Sequence, residues 1–300
     1  MSPIFVSSSF PILMFLEKWL IEPLQFQFVR EAIVISVFLG ILCAIVGSYL
    51  IVQEKGMMSC VISHAILPGV SIAFFLGIDL SIGAFISGVI SAFFVVFIRS
   101  SSRIKVDTAM SLILSSFLGL GIILITVLKT NQLDLSHLLF GDILGVTTAD
   151  VWKTAGITIL ILVLTKLFYK ELQFYTFDPL GARAIGLPVN AMYFGLICAI
   201  TLTIVASMQT VGVLLVMALL TGPAATAYLF VKELHEMMAV GAILGIVSSV
   251  GGMYLSYHLD LPSGPAIVMV VFALFLLALL LSPTQGILTQ TRSRSKKGLN

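Results

Sequence analysis

This sequence predicts an all-helical, polytopic membrane fold with about nine crossings, and three observations carry that reading. Hydrophobic residues make up 59% of the chain and charged residues only 10%, with a mean hydropathy of +1.14; a soluble domain needs a polar shell that this composition cannot supply. The apolar residues gather into stretches long enough to cross a hydrocarbon core, which takes about 20 residues each as helix. The basic residues are distributed unevenly between alternate connections, as a fixed orientation in a bilayer requires.

Residues 1–28 come first. The stretch "FPILMFLEKWLIEPLQF" mixes Glu17, Lys18 and Glu22 with Trp19 and phenylalanines and lacks the basic n-region of a signal peptide. It reads as an interfacial amphipathic segment, with a tenth crossing as the alternative. A membrane domain over 29–283 follows, with spans at 31–52, 57–76, 80–98, 108–128, 151–168, 191–207, 211–230, 237–256 and 264–282. Residues 184–231 carry no charge and are too many for one crossing, so the chain is expected to turn within "SMQTVG", at Gln209 and Gly212. Residues 284–300 form a basic tail.

Orientation follows from lysine and arginine, which are retained on the cytoplasmic side near span ends. With the C-terminus inside, nine crossings place Lys55, Arg99, Arg103, Lys105, Lys166, Lys170, Arg183, Lys232, Arg292, Arg294, Lys296 and Lys297 inside, and leave Lys18, Arg30, Lys129 and Lys153 outside. The N-terminus is then extracytoplasmic.

Two connections are long enough to carry function. Residues 129–150 lie outside and concentrate Asp134, His137, Asp142 and Asp150. With Asp79 and the "HLDLPSG" stretch that contains His258 and Asp260, they gather acidic groups at an outer mouth, where they raise the local cation concentration. Residues 169–190 lie inside and hold Asp178, Ala182 and Gly186 at four-residue spacing, which predicts one face of a short helix and a docking surface. A solvated loop is the plainer reading of the same residues.

The most specific chemistry sits in "MSCVISHAILPG". Apart from the Cys60 thiol, His64 is the only ionisable side chain between Met57 and Gly77, and such groups within a span usually face a polar cavity and mark a pathway. Cys60 and His64 are four apart, so they share a helix face. Pro68 has no N–H for the His64 carbonyl, which predicts a kink at Pro68–Gly69 and a released oxygen. Thiolate, imidazole and carbonyl oxygen are all ligands for a divalent transition metal. A histidine hydrogen-bonded to a neighbouring helix, with Cys60 as filler, fits the same residues.

Several classes are excluded. No basic patch is interleaved with aromatics, so nucleic acid is not a partner. The three cysteines, Cys43, Cys60 and Cys198, all fall in apolar stretches and do not form a disulfide framework. The chain has no G-x-x-x-x-G-K-[ST] loop to cradle a nucleotide, and His64 has no partner in an H-E-x-x-H pattern. It is therefore not an enzyme by itself. A stand-alone metal ion channel or secondary transporter is the alternative class, although no inverted repeat is evident and no carboxylate lies in the core of a span.

The segments "SCVISHAILPGV" (59–70), "HLLFGDILGV" (137–146), "FDPLGARAIGLP" (177–188), "VGVLLVMALLTGPAATAYL" (211–229) and "YHLDLPSGPAIVM" (257–269) resemble the membrane subunits of ATP-binding-cassette importers for manganese, zinc and iron. The motifs stand in the family's order from about Pro23 to Pro283. The resemblance implies a type II-like importer permease in the cell membrane, and partners in a cytoplasmic ABC ATPase, an extracytoplasmic metal-binding protein and a second permease chain, expected as a homodimer. It implies no permanently bound cofactor and a transported divalent ion, Mn2+ or Zn2+, with manganese ranked first. The family has a histidine at the position of His64 and an aspartate four residues earlier, a pair taken to contact the metal; here that earlier position is Cys60. Asp178, Ala182 and Gly186 match the family's cytoplasmic coupling region, which inserts into the ATPase.

Overall fold

The computed structural model describes residues 25–128, 141 and 143–282. Residues 1–24, Asp134, His137, Asp142 and the basic tail lie outside the described residues. The helices are α1 (Gln27–Val52), α2 (Met57–Ala65), α3 (Leu67–Leu76), α4 (Leu80–Ser101), α5 (Val106–Val127), α6 (Thr148–Leu167), α7 (Tyr169–Phe177), α8 (Pro179–Ala184), α9 (Val189–Tyr228), α10 (Leu234–Leu259) and α11 (Ser263–Leu281). Among the described residues there is no strand, and 9 helical segments are long and apolar enough to cross a membrane. The all-helical, nine-span reading is borne out.

Helix α1 is the centre of the bundle, with Ile35, Leu39, Leu42 and Leu50 fully buried. It packs along α10 and the second half of α9. Lipid tails are as apolar as leucine, so helix association in a bilayer depends on close van der Waals fit and small interface residues. Gly40 and Gly245 supply that fit: a Cβ at Gly40 would stand 2.7 Å from the Gly245 carbonyl carbon. Several hydroxyls within the spans turn back on their own helices. Ser36 donates to the Ala32 carbonyl at 2.6 Å, Ser48 to Ala44 at 2.7 Å and Thr201 to Ile197 at 2.9 Å. An unpaired hydroxyl in hydrocarbon would cost about 1–3 kcal/mol.

The turn expected in "SMQTVG" is present as a break in α9 at Gly212, with φ 77° and ψ 157°, a conformation that side-chain-bearing residues avoid. It divides Val189–Met208 from Thr210–Tyr228. Tyr193, in the first half, meets Lys55, and Thr221, in the second half, approaches Gly56. Both halves therefore return to the same end of the bundle, and the chain reverses at the break.

The two ends differ. One gathers the α1–α2 connection, Arg99, α7 and α8, joined by the Gln53–Thr176 hydrogen bond of 3.2 Å. At the other end Thr148 donates to Glu31 at 2.8 Å, and Asp79 interacts electrostatically with Lys153. Among the described basic residues, Lys55, Arg99, Arg103, Lys105, Lys166, Lys170, Arg183 and Lys232 belong to the first end, and Arg30 and Lys153 to the second.

Candidate functional site

Cys60 and His64 lie in α2, on a helix that packs against α4, α5 and α9, and both side chains are half-buried. His64 Nδ1 is 3.0 Å from the Cys60 carbonyl oxygen and 4.0 Å from Cys60 Sγ. A carbonyl oxygen only accepts, so the bond needs the proton on Nδ1, the tautomer that leaves the Nε2 lone pair free. The shared helix face expected from the i, i+4 spacing is present. Among the described residues no group of three or more His, Cys, Asp or Glu could hold a metal ion. Cys60 and His64 are a pair of potential donors, short of the four in a closed tetrahedral site.

The third expected ligand is the His64 carbonyl, four residues before Pro68. Helix α2 gives way to α3 at Ile66, two residues before Pro68, where the chain keeps helical angles of φ −73° and ψ −22°, and Pro68 lies in the first turn of α3. Proline fits there because the N–H it lacks has no partner in a first turn. At the junction the Ile66 N–H donates to the Ile62 carbonyl at 3.2 Å, and Ser87 Oγ donates to the Ala65 carbonyl at 2.6 Å. The Ile62 and Ala65 carbonyls are satisfied within the protein, while Pro68 brings no N–H to the His64 carbonyl. Gly69 serves packing: it faces Gly83, where a Cβ would meet the Ala73 side chain at 2.6 Å.

The 178–186 segment forms a cap, a single helical turn and a stop. Asp178 Oδ1 accepts from the Gly181 N–H at 2.9 Å, α8 ends at Ala184, and Gly186 follows with φ 84°. The shared-face expectation for Asp178, Ala182 and Gly186 fails because the helix covers only the middle of the stretch. Ala182 is 0% exposed and packs inward, whereas Leu180 is 79% and Ile185 68% exposed. The outward surface is made by residues that the spacing argument passed over.

At the opposite end, Asp79 caps α4 by accepting from the Ser81 N–H at 2.8 Å. That bond, with Lys153 contributing least, holds its carboxyl below the usual range. Asp150 forms a capping box with Thr147. His258 sits edge-on to Tyr257, with centroids 5.3 Å apart, and Asp260 ends α10 at φ 50°. Sequence reasoning missed the end of the outer connection: Ile143 and Val146 are buried, and Gly141, at φ 64°, packs its main chain onto Val211 and Gly212. The apolar "ILGV" after an acidic stretch was the available signal.

Comparison with known proteins agrees with this architecture. The family model described as the ABC 3 transport family matches residues 25–282. The chain is 40% identical over 267 residues to the manganese transport system membrane protein MntC of Halalkalibacterium halodurans, covering 89% of this chain and 91% of that one. It is 38% identical over 282 residues to the chelated iron transport system membrane protein YfeD of Yersinia pestis, covering 93% and 94%. Its structure is similar to PsaBC from Streptococcus pneumoniae, solved in complex with a Fab, with a TM-score of 0.83 and 38% identity over 92% of this chain and 99% of that chain. The motifs, the nine spans among the described residues and a match across nearly the whole membrane domain lead to one assignment: the chain belongs to the ABC 3 transport family.

Proposed function

We propose that this chain is the permease of an ATP-driven importer of divalent transition metal ions, with manganese as the first-ranked cargo. The observation that carries the reading is the Cys60–His64 pair: two ligands on one face of a membrane-spanning helix, with Nδ1 tied to the Cys60 carbonyl and Nε2 left for the ion. Two side chains hold an ion weakly, which suits a conduit that must also release it. Relatives named for manganese and for chelated iron support a first-row divalent cargo, whereas the Cys60 sulfur favours a softer ion than an aspartate would. Manganese is ranked first because selection belongs to the binding protein that delivers the ion.

In this reading two copies of the chain form the pore and bring two Cys60–His64 pairs together. The binding protein docks at the end that carries Asp79, His258 and Asp260, where Asp134, His137 and Asp142 also belong on the sequence topology. The ATPase docks at the end that carries α7 and α8, which is the cytoplasmic side by the distribution of basic residues. Leu180 and Ile185 are the apolar anchors there, while Asp178, Ala182 and Gly186 hold the segment's shape. Closure of the ATPase then opens the pore inward. The test is uptake of radioactive Mn2+ and Zn2+ into vesicles holding permease, ATPase and binding protein. ATP-dependent uptake that needs all three supports the reading, and uptake by the permease alone overturns it in favour of a channel or carrier.

A further inference from the structure

The connection between α1 and α2 half-buries a lysine. Lys55 stands two residues before Met57, the first residue of the helix that bears Cys60 and His64, and its main-chain N–H closes the end of α1 on the Leu50 carbonyl at 2.8 Å. Its ammonium donates to Gln53 Oε1 at 2.7 Å and lies 4.9 Å from the centre of the Tyr193 ring. Gln53 Nε2 in turn donates to Thr176 Oγ1 at 3.2 Å. Thr176 and Tyr175 are 7% and 4% exposed, and both belong to α7, immediately before the Asp178 cap of α8. An unbroken set of contacts therefore runs from α8 through α7, Thr176, Gln53 and Lys55 to the start of α2.

We propose that Lys55 is a positioning residue that transmits movement of α7 and α8 to the helix carrying Cys60 and His64. The proposal rests on the reading of α8 and its flanks as the surface that meets the ATPase. The ionisable groups facing the ammonium are Arg99 from α4 and Tyr193 from α9, with Tyr175 from α7 beside those two, and among the described residues no carboxylate pairs with it. Burial, with the Arg99 charge adding to it, pushes the lysine down to about 8. Below that pH the ammonium holds the glutamine and the ring through a charge-assisted hydrogen bond and a cation–π contact. Above it the neutral amine holds both weakly. The charge is kept against its preference for water, so removing it should not cost stability, whereas removing a lysine that only braced the fold would.

The experiment uses the full complex in vesicles that expose the ATPase face, with Mn2+ transported per ATP hydrolysed measured across a pH series on that face. Wild type is expected to lose coupling as pH passes the midpoint, by about tenfold one unit above it, where about a tenth of the lysine is charged. Lys55→Arg, whose guanidinium stays charged, is expected to keep a flat ratio. Lys55→Met is expected to show the low ratio at every pH, with continued ATP hydrolysis and an unchanged or raised melting temperature. Normal coupling in Lys55→Met, or a Lys55→Arg profile that falls with wild type, overturns the proposal. Should Lys55→Met fail to insert, Thr176→Val, which removes the far end of the link, is read by the same ratio. Leu180→Asp is run in parallel: if it assembles and couples normally, the docking reading fails irrespective of the Lys55 result.

Discussion

His64 Nδ1 lies 3.0 Å from the carbonyl oxygen of Cys60, one turn earlier on the same helix. The bond sets the ring's tautomer and keeps the imidazole beside the Cys60 thiol. An outer partner of this kind raises the basicity of the nitrogen that binds an ion and fixes its direction. Here the main chain supplies that partner, so the arrangement survives a change of the Cys60 side chain.

That independence makes position 60 a clean probe. Cys60→Asp should keep Mn2+ transport and raise the Mn2+ to Zn2+ uptake ratio, because oxygen replaces sulfur while the carbonyl still holds His64. Cys60→Ser should be intermediate. His64→Ala should lower uptake by about tenfold or more while the permease still inserts and still copurifies with the ATPase. Full uptake by His64→Ala would return this histidine to a packing role between helices.

At the other proposed contact, burial separates two neighbouring residues. Leu180, 79% exposed, should tolerate Leu180→Asp without loss of membrane insertion, yet the change should abolish copurification of the ATPase. Ala182, 0% exposed, should behave in the opposite way: Ala182→Trp overfills a closed contact at about 1–3 kcal/mol or more and should lower the amount of folded permease. Equal behaviour of the two variants in a pull-down and a melting curve would mean that this segment has no outward docking face. Gly186, exposed with φ 84° and nothing within 4 Å of a built Cβ, lies between these cases; Gly186→Trp should insert but abolish metal-stimulated ATP hydrolysis.

The spans and their number were legible because an apolar run of about 20 residues has few alternatives in a bilayer. The α9 reversal was legible because glycine is the residue that tolerates the backbone angles of Gly212. The Cys60–His64 face followed from helical periodicity alone. The junction at Ile66, rather than at Pro68–Gly69, was not legible, because the Ser87 bond to the Ala65 carbonyl that accompanies it comes from another helix. The 178–186 face was misread because periodicity assumes continuous helix, and a capping aspartate and a left-handed glycine end this one after a single turn. The link through Lys55 joins residues more than a hundred positions apart, and no local pattern announces it.

Gly141 tests whether the outer connection is anchored. A Cβ there would collide with the Val211 and Gly212 main chain, and its φ of 64° disfavours side chains. Gly141→Ala should therefore destabilise the permease by about 1–3 kcal/mol, read as a fall in melting temperature. Gly156, in α6 with nothing within 4 Å of a built Cβ, is the control. Gly156→Ala should leave stability unchanged or raise it by about 0.5–1 kcal/mol. A Gly141→Ala protein as stable as Gly156→Ala would show that the 141–146 segment yields freely.

The orientation rests on the distribution of basic residues and is testable with single cysteines. Cys43, Cys60 and Cys198 are unpaired, so all three must first be replaced, Cys60 by Asp or Ser to keep a ligand at that position. Asp260→Cys and Gln132→Cys should then react with an impermeant thiol reagent added outside intact cells, whereas Arg103→Cys and Lys296→Cys should react only after the cells are opened. Asp260 and Arg103 are exposed, so a lack of outside reaction at Arg103→Cys would reflect the side of the membrane rather than burial. The two residues lie at opposite ends of the bundle: Arg103 follows α4 at the end where α7 and α8 gather, and Asp260 ends α10 at the other. Outside labelling of Arg103→Cys, with none at Asp260→Cys, would invert the permease. It would place α7 and α8 away from the cytoplasm, beyond reach of an ATPase, and the coupling role of Leu180, Ile185 and Lys55 would fall with it.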